Sequence, residues 1–329
     1  MIARRALLAA VAATALAPRA RAQNRVRRIG WLSGLDADDP QVVTNRAALV
    51  RGLKELGWVE GESYTVEFRG ALGVAPRYDE FAAALVQAKP DLLIASGESA
   101  LPALLRQTRT IPIVFIAVTD PVASGVVASL ARPGGNATGF TQYEGIIGGK
   151  WVQLLKDIAP RITHIGVWKF DNPVAHAALE QFLPSIRETA SALGLEMALI
   201  AVARDVDAVP AITAFGGAPN GGLVFPADPF SVVHRSEICA AVERAKMPAV
   251  YPFRFFAESG GLMSYAAGSD DETYRAAAYV DRILKGANPA ELPVQLPVKY
   301  ELVINMKAAK AIGLSVSPLL LARADTLLE

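Results

Sequence analysis

The chain has 329 residues, of which 52% are hydrophobic and 20% are charged. This length and composition exclude an intrinsically disordered protein and leave room for two domains with their own hydrophobic cores. The net charge is +1, but the first 22 residues contain four arginines and no acid, which leaves 29 basic against 32 acidic residues in the rest. No basic stripe interleaved with aromatic residues remains, so the sequence gives no support for a nucleic-acid partner.

The first 22 residues have the layout of a secretory signal peptide. Two arginines precede the apolar run "ALLAAVAATALA", and the closing Ala20-Arg21-Ala22 fits a small-x-small cleavage site. The apolar run has about 12 residues, whereas a helix that spans a membrane needs roughly 20. We therefore expect cleavage near Ala22 and Gln23, and a mature protein in the periplasm. A single cysteine, Cys239, excludes an intrachain disulfide.

The first part of the mature chain alternates short apolar runs with longer amphipathic ones. The strands predicted there cover 28–33, 64–71, 92–97 and 111–118, and a helix is predicted after each of them, the last one in "SGVVASLARPG". Runs such as "LLIAS" and "IVFIAV" are apolar at consecutive positions, which is typical of parallel strands buried on both faces. This alternation predicts a doubly wound α/β lobe.

The same alternation starts again near residue 140. The second set of predicted strands covers 162–169, 196–203, 221–227 and 248–253, and the predicted helices cover about 147–158, 173–193, 205–214 and 231–245. We interpret the Gly-rich segment "RPGGNATGFT" (132–141) as a passage between the two units. The sequence thus predicts two α/β lobes, with a fusion of two unrelated domains as the alternative.

The last 70 residues contain too few elements for a third domain. They predict a strand at 262–266, a helix at 270–286, a Pro-rich link and a final strand and helix. We interpret them as a return of the chain to the first lobe, followed by an end in the second. The chain would then cross between the two lobes three times, and these three crossings would form a hinge. The predicted bounds are 27–141 plus 268–299 for the first lobe, and 142–267 plus 300–329 for the second.

Several segments resemble one known family. "GGLMSY", "YRAAAYVDRILKGANPAELPVQLPVKYELVINMKAAKAIGL" and "LLARAD" are similar to the C-terminal signature of ABC-transporter substrate-binding proteins of the tryptophan/tyrosine type, and "GLKELGWVEG", "NATGFT" and "GLVFPADPF" occur in the expected order. The resemblance runs from about Arg27 to the end of the chain. It implies a type I periplasmic-binding-protein fold, in which two doubly wound lobes close on a ligand that is passed to an ABC permease.

The turn after the third predicted strand, "LLIASGESALPALL" (92–105), has two interpretations. Gly97-Glu98-Ser99-Ala100-Leu101 is one residue short of the G-x-S-x-G elbow of a serine hydrolase, and no histidine follows His234. The favoured interpretation is a binding turn, in which Gly97 allows close approach and the N–H groups that open the next helix attract a carboxylate. Ser96 or Ser99 is also expected to cap that helix.

Other predicted binding residues follow strand ends, because the carboxyl edge of a parallel sheet is where α/β folds bind ligands. Together with the turn residues Ser96, Gly97, Glu98 and Ser99, the predicted set is Ser33, Gly34, Thr119, Asp120, Gln142, Tyr143, Phe170, Asp171, Asn172, Asp228, Tyr251, Ser264 and Tyr265. Asp120 and Asp228 are candidates for an ammonium group, and Glu98 is expected to point to solvent.

These residues predict the ligand class. We expect a small carboxylate, most plausibly an aromatic or apolar amino acid, with Tyr143, Phe170, Tyr251 and Tyr265 as aromatic walls. No catalytic residue, metal ligand or cofactor is predicted, since neither clustered His/Cys spacing nor a nucleotide-binding motif occurs. The expected partners are the small-molecule ligand and the membrane subunits of a permease, and the protein is expected to be a monomer. The alternatives are a secreted serine hydrolase that uses Ser99 and a type I sensor domain.

Overall fold

The computed structural model describes residues 25–142, 144–171 and 173–329. Its first lobe is built around a five-stranded parallel sheet with the strand order β2-β1-β3-β4-β5. The strands are β1 Arg27–Ser33, β2 Tyr64–Gly70, β3 Leu92–Ser96, β4 Ile113–Val118 and β5 Ala137–Thr141. The helices that follow the first three strands are α1 Pro40–Glu55, α2 Ala75–Gln87 and α3 Ala100–Gln107.

Consecutive apolar residues on β3 and β4 give this sheet a core on each face. Leu93 and Phe115 belong to a cluster with α2 and α3, whereas Ile94 and Val114 belong to a second cluster with α1. The alternation follows from the period of two along a strand. Because β1 lies between β2 and β3, the order reverses there, which creates a crevice at the carboxyl ends of β1 and β3.

The segment 132–141, expected as a passage between lobes, contains the edge strand β5. Glycine makes this pairing possible, because a Cβ at Gly139 would lie 2.0 Å from the carbonyl oxygen of Phe115. The helix expected in "SGVVASLARPG" is absent from the described residues 121–133, which form turns. Gly125, with a φ of +71°, and Pro133 are both unfavourable within a helix.

The second lobe contains a seven-stranded mixed sheet with the order β12-β11-β10-β9-β8-β6-β7. Its strands are β6 His164–Phe170, β7 Glu196–Val202, β8 Gly221–Val224, β9 Ala249–Tyr251, β10 Met263–Ala267, β11 Tyr300–Asn305 and β12 Thr326–Leu328. From β7 to β10 all strands are parallel and repeat the reversal of order seen in the first lobe, whereas β11 runs antiparallel to β10. The prediction of two α/β lobes is confirmed.

Nine α-helices follow β5 within the described residues. Eight belong to the second lobe, namely α4 Ile147–Ile158, α5 Pro173–Ala192, α6 Ala208–Gly216, α7 Pro229–Val233, α8 Arg235–Arg244, α9 Arg254–Glu258, α11 Met306–Ala311 and α12 Pro318–Arg323. The ninth, α10 Ser269–Leu284, packs on the first lobe. The single helix expected at 231–245 is therefore two helices. It breaks at His234, whose φ and ψ of −94° and 18° leave the helical region.

Helix α10 returns to the first lobe and packs against α1. Gly52 allows this contact, since a Cβ there would lie 2.8 Å from the carbonyl oxygen of Tyr274. After a short 3-10 turn at Pro289–Glu291, Gln295 donates its N–H to Gly139 of β5, and the chain then enters β11 of the second lobe. The domain bounds stated above stay a prediction. Among the described residues, no helix combines the length and apolar character needed to cross a membrane.

Candidate functional site

A cleft lies between the carboxyl ends of the two sheets. The first lobe contributes the ends of β1, β3 and β4 together with side chains of α1 and α2, and the second contributes the loops after β8 and β9. The empty space measures about 920 Å³, counting the solvent at its mouth. Nine of the predicted binding residues line this cleft, namely Ser33, Gly34, Ser96, Gly97, Glu98, Ser99, Thr119, Gln142 and Asp228.

The serine hydroxyls at the sheet edge hold the floor of the cleft in place. Ser96 Oγ accepts a hydrogen bond from Trp31 Nε1 at 2.9 Å, and the hydroxyl of Ser99 is hydrogen-bonded to that of Tyr78. Neither serine caps α3 through its side chain, so the expectation of a cap is wrong. Both hydroxyls instead fix an aromatic side chain that lines the cleft.

Gly97 gives the turn its shape. Its φ of +91° lies in the left-handed region that favours glycine, and its N–H donates to the carbonyl of Ile116 on β4. No atom lies within 4 Å of the position that a Cβ would occupy. The turn therefore exposes its backbone to the cleft.

Glu98 points into the cleft, contrary to the expectation that it faces solvent. Its carboxylate accepts the backbone N–H of Thr119 and is also hydrogen-bonded to the side chain of that residue. Burial raises the pKa of Glu98, and the charge of Asp120 raises it further, while the hydrogen bonds from Thr119 oppose the shift. Two donors at the end of β4 thus account for its inward orientation, which helix-dipole reasoning alone did not predict.

Asp228 also lines the cleft, but its oxygens are used within the second lobe. Oδ1 accepts the backbone N–H of Ser231 at 2.9 Å, and Oδ2 accepts the Ser231 hydroxyl. This is the N-cap of α7, with Pro229 in the first turn. Burial raises the pKa of Asp228 to about 6. Both carboxylate oxygens of Asp228 are therefore used to cap α7 in this arrangement.

Three of the four aromatic walls expected from the sequence, Phe170, Tyr251 and Tyr265, do not line the cleft, and other aromatic side chains do. They are Trp31 and Tyr78 from the first lobe and Phe253 and Phe255 from the second. Phe253 and Phe255 follow β9 in "YPFRFF", so the rule that ligands lie at carboxyl ends of strands could have found them. Trp31 lies inside β1, and only the contact with Ser96 shows that its ring edge reaches the cleft floor.

Six of the described predicted residues lie outside the cleft, and four of them have clear roles or positions elsewhere. Asp120 caps the turn that follows it, because its Oδ1 accepts the N–H groups of residues 122 and 123. Phe170 stacks on Phe230 with 4.1 Å between the ring centroids, and Asp171 is exposed. Tyr251 is fully buried between two phenylalanine rings of the core. Side chains alternate along a strand, and those of the strand residues Phe170 and Tyr251 pack into the core of the second lobe.

The remaining predicted residues belong to the edge of the site or lie outside the described part. Ser264 is buried and lines a second, more polar cavity that shares Gln142 with the cleft. Tyr265 packs on Tyr300 at 5.5 Å between centroids and does not line the cleft. Tyr143 and Asn172 lie outside the described residues.

The geometry around Ser99 gives no support for a serine hydrolase. His164 lies at the start of β6, with its ring against Phe215, and His234 stacks on Phe230. Neither histidine lines the cleft, and the side chain of His176 lies outside what the structure describes. No histidine whose side chain the structure describes therefore lies beside the Ser99 hydroxyl.

The comparison with sequence families agrees with this two-lobe cleft. Residues 37–328 match the family described as ABC transporter substrate binding protein. The chain belongs to this family. One relative, named a tyrosine-binding protein, from Clostridioides difficile strain R20291, is 24% identical over 277 residues, which cover 84% of this chain and 79% of the relative.

Two solved structures of substrate-binding proteins share the fold. One is an ABC domain from Streptococcus pneumonia in complex with L-Trp, with a TM-score of 0.83, 23% identity and coverage of 92% of this chain and 100% of the other. The second is a ligand-free, open substrate-binding protein with adhesive properties from Clostridium difficile. It has a TM-score of 0.66, 23% identity and coverage of 92% of this chain and 99% of the other.

Proposed function

We propose that this substrate-binding protein captures an aromatic or apolar amino acid between its lobes and delivers it to the permease of an ABC importer. The observation that carries the proposal is the cleft itself. Aromatic side chains from both lobes, Trp31 and Tyr78 on one side and Phe253 and Phe255 on the other, face the same space, while polar groups concentrate on the first lobe. An amphipathic ligand with one apolar end fits this division.

The named relatives support the ligand class. One is called a tyrosine-binding protein, and one solved structure contains L-Trp. The chain also superposes better on the tryptophan complex, with a TM-score of 0.83, than on the ligand-free open protein, with 0.66. This difference is what a closed arrangement of the lobes would produce, and it supports closure around the ligand as the mode of binding.

The predicted signal peptide at 1–22 lies outside the described residues, and it supports export to the periplasm. The function then needs no catalytic residue and no cofactor, since the protein acts by binding and closure as a monomer. We place the hinge at the three crossings near residues 141, 268 and 299. The N–H groups that open α3, next to Gly97, are the proposed donors to the ligand carboxylate.

A thermal-shift screen of the mature chain tests this function. The panel contains the aromatic and apolar amino acids, small carboxylates without an amine, and hexoses. We expect an aromatic amino acid to give the largest increase in Tm, because ligand at a hundredfold excess over Kd stabilises the folded state by about 2.7 kcal/mol. Stabilisation by a hexose and by no amino acid would refute the proposal.

A further inference from the structure

The cleft contains two acids and no base among its described lining residues. Glu98 and Asp228 both line it, whereas none of its described lining residues is a lysine, arginine or histidine. Arg235 contacts the ring of Phe255 in the cleft wall but is paired with Asp39 at 2.7 Å. Any carboxylate group on a ligand therefore meets neutral donors, while any cation on the ligand meets acid.

The two acids differ in what they can offer a ligand. Both oxygens of Asp228 are occupied by Ser231 in the cap of α7. Glu98 is held only through Thr119, by its N–H and its hydroxyl, and a carboxylate can accept about four hydrogen bonds. Glu98 thus keeps acceptor capacity towards the cleft, and no ion pair to a basic residue is found for it within the described part of the chain.

Burial without a counter-ion is unfavourable for a carboxylate. This cost appears as the raised pKa of Glu98. A protonated amine placed against Glu98 would supply the missing cation and reverse that shift. A ligand carboxylate placed there would add a further negative charge to a cleft that already contains two acids.

We propose that Glu98 is the specificity-determining residue of the cleft and binds the protonated amine of the ligand. This inference rests on the proposed function. The amine, rather than the carboxylate, is then the group that a ligand must have. Aromatic amines that lack the carboxylate bind, and aromatic acids that lack the amine do not. The aromatic ring lies between the walls of the two lobes in either case.

Titration calorimetry on the mature chain tests this with three ligands that share one ring system: L-tryptophan, tryptamine and indole-3-propionate. The expected Kd values for tryptophan and tryptamine lie within about tenfold of each other, and indole-3-propionate binds at least about a hundredfold more weakly than tryptophan, since a charge-assisted contact exceeds a neutral one. This ranking is measured on the unaltered protein, so it does not depend on how any variant folds.

The variants Glu98→Gln and Glu272→Gln identify the residue responsible. Glu272 is a matched control, because it is also a glutamate that accepts a backbone N–H near the end of β4, from Ala117, but it does not line the cleft. Glu98→Gln keeps an acceptor for Thr119 and should weaken the binding of tryptophan and of tryptamine by about tenfold or more. Glu272→Gln should keep the ranking of the unaltered protein.

Two results overturn the inference while leaving the proposed function intact. One is binding of indole-3-propionate as tight as that of tryptophan. The other is a Glu98→Gln variant that shows the ranking and affinities of the unaltered protein. A different result refutes the proposed function itself. If the unaltered protein binds none of these three ligands, and also binds neither tyrosine, phenylalanine nor leucine, both the proposed function and the inference fail.

Discussion

Asp39 and Arg235 form an ion pair that joins the two lobes, with 2.7 Å between Oδ2 and a guanidinium nitrogen. Both side chains are mostly buried, at 12% and 14% exposure, so water screens the pair only weakly. Asp39 also caps α1 through Oδ1, and Arg235 contacts the ring of Phe255 in the cleft wall. The pair therefore stabilises this arrangement of the two lobes directly beside the cleft.

The variant Asp39→Asn tests this link, because asparagine keeps the cap and removes the charge. We expect ligand affinity to fall about tenfold or more through faster dissociation, since a hydrogen bond to a charged group contributes about 1.5–3 kcal/mol. Stopped-flow fluorescence and calorimetry measure this change. Asp157→Asn is the control, as its partner Arg323 lies in the same lobe. Equal dissociation rates in both variants would show that the interlobe pair does not hold the cleft closed.

Phe253 should contribute to selection of an aromatic ligand. Replacement by leucine keeps an apolar wall but removes the ring, and an aromatic pair contributes about 0.5–1.5 kcal/mol beyond its buried area. We expect the ratio of tryptophan to leucine affinity to fall about threefold to tenfold in Phe253→Leu, measured by calorimetry. Phe170→Leu removes a ring that stacks on Phe230 outside the cleft and should leave the ratio unchanged. A change confined to Phe170→Leu would contradict the assigned wall.

Glu272 should make folding stability depend on pH. Burial raises its pKa to about 8, and the charge of Asp271 raises it further, while the N–H of Ala117 and the charge of Arg275 lower it. The unfolded carboxyl loses its proton near its ordinary pKa of 4.5, whereas the folded one keeps it. Its stabilising contribution is therefore complete below about pH 4.5 and is lost as the pH rises through 8.

Urea unfolding at pH 5 and pH 8 tests this sign. The unaltered protein should lose about 3 kcal/mol more than Glu272→Gln between these two values, because glutamine stays neutral throughout and can still accept the N–H of Ala117. Parallel pH profiles for the two proteins would mean that Glu272 is ionised in the folded state near neutral pH.

Gly139 should be essential for the pairing of β5 with β4. A Cβ at this position meets the backbone of Phe115 at 2.0 Å, so Gly139→Ala must push the strands apart. We expect a loss of about 3 kcal/mol in the free energy of unfolding. Gly135→Ala, four residues earlier in the same Gly-rich segment, places its Cβ in open space and should cost far less. Comparable stabilities for both variants in urea unfolding would contradict the close approach.

Much of the fold is visible in the sequence because buried parallel strands and amphipathic helices have distinct periods. The predicted helix at 147–158 agrees with α4 at both ends, and the return of the chain through α10 is present as expected. β5 was missed because its five residues, "ATGFT", follow a Gly-rich stretch and include a glycine, a residue depleted in strands, that is needed here for tertiary contact. Backbone closeness between distant segments leaves no periodic pattern.

The site was less predictable than the fold. Strand ends located Ser33, Gly97 and Thr119, because parallel strands share one edge. The orientation of Glu98 depends on Thr119, which is 21 residues away, and that of Tyr251 depends on core packing. These are contacts between segments that one-dimensional patterns do not encode.

The most direct test of the central claim is titration calorimetry of the mature chain with L-tryptophan and L-tyrosine, with a hexose as comparator. Capture between two apolar walls predicts saturable binding of one aromatic amino acid per chain, with a negative heat-capacity change when the titration is repeated at a second temperature. The hexose should produce no saturable heat. Saturable binding of the hexose, with none for either amino acid, would contradict the account.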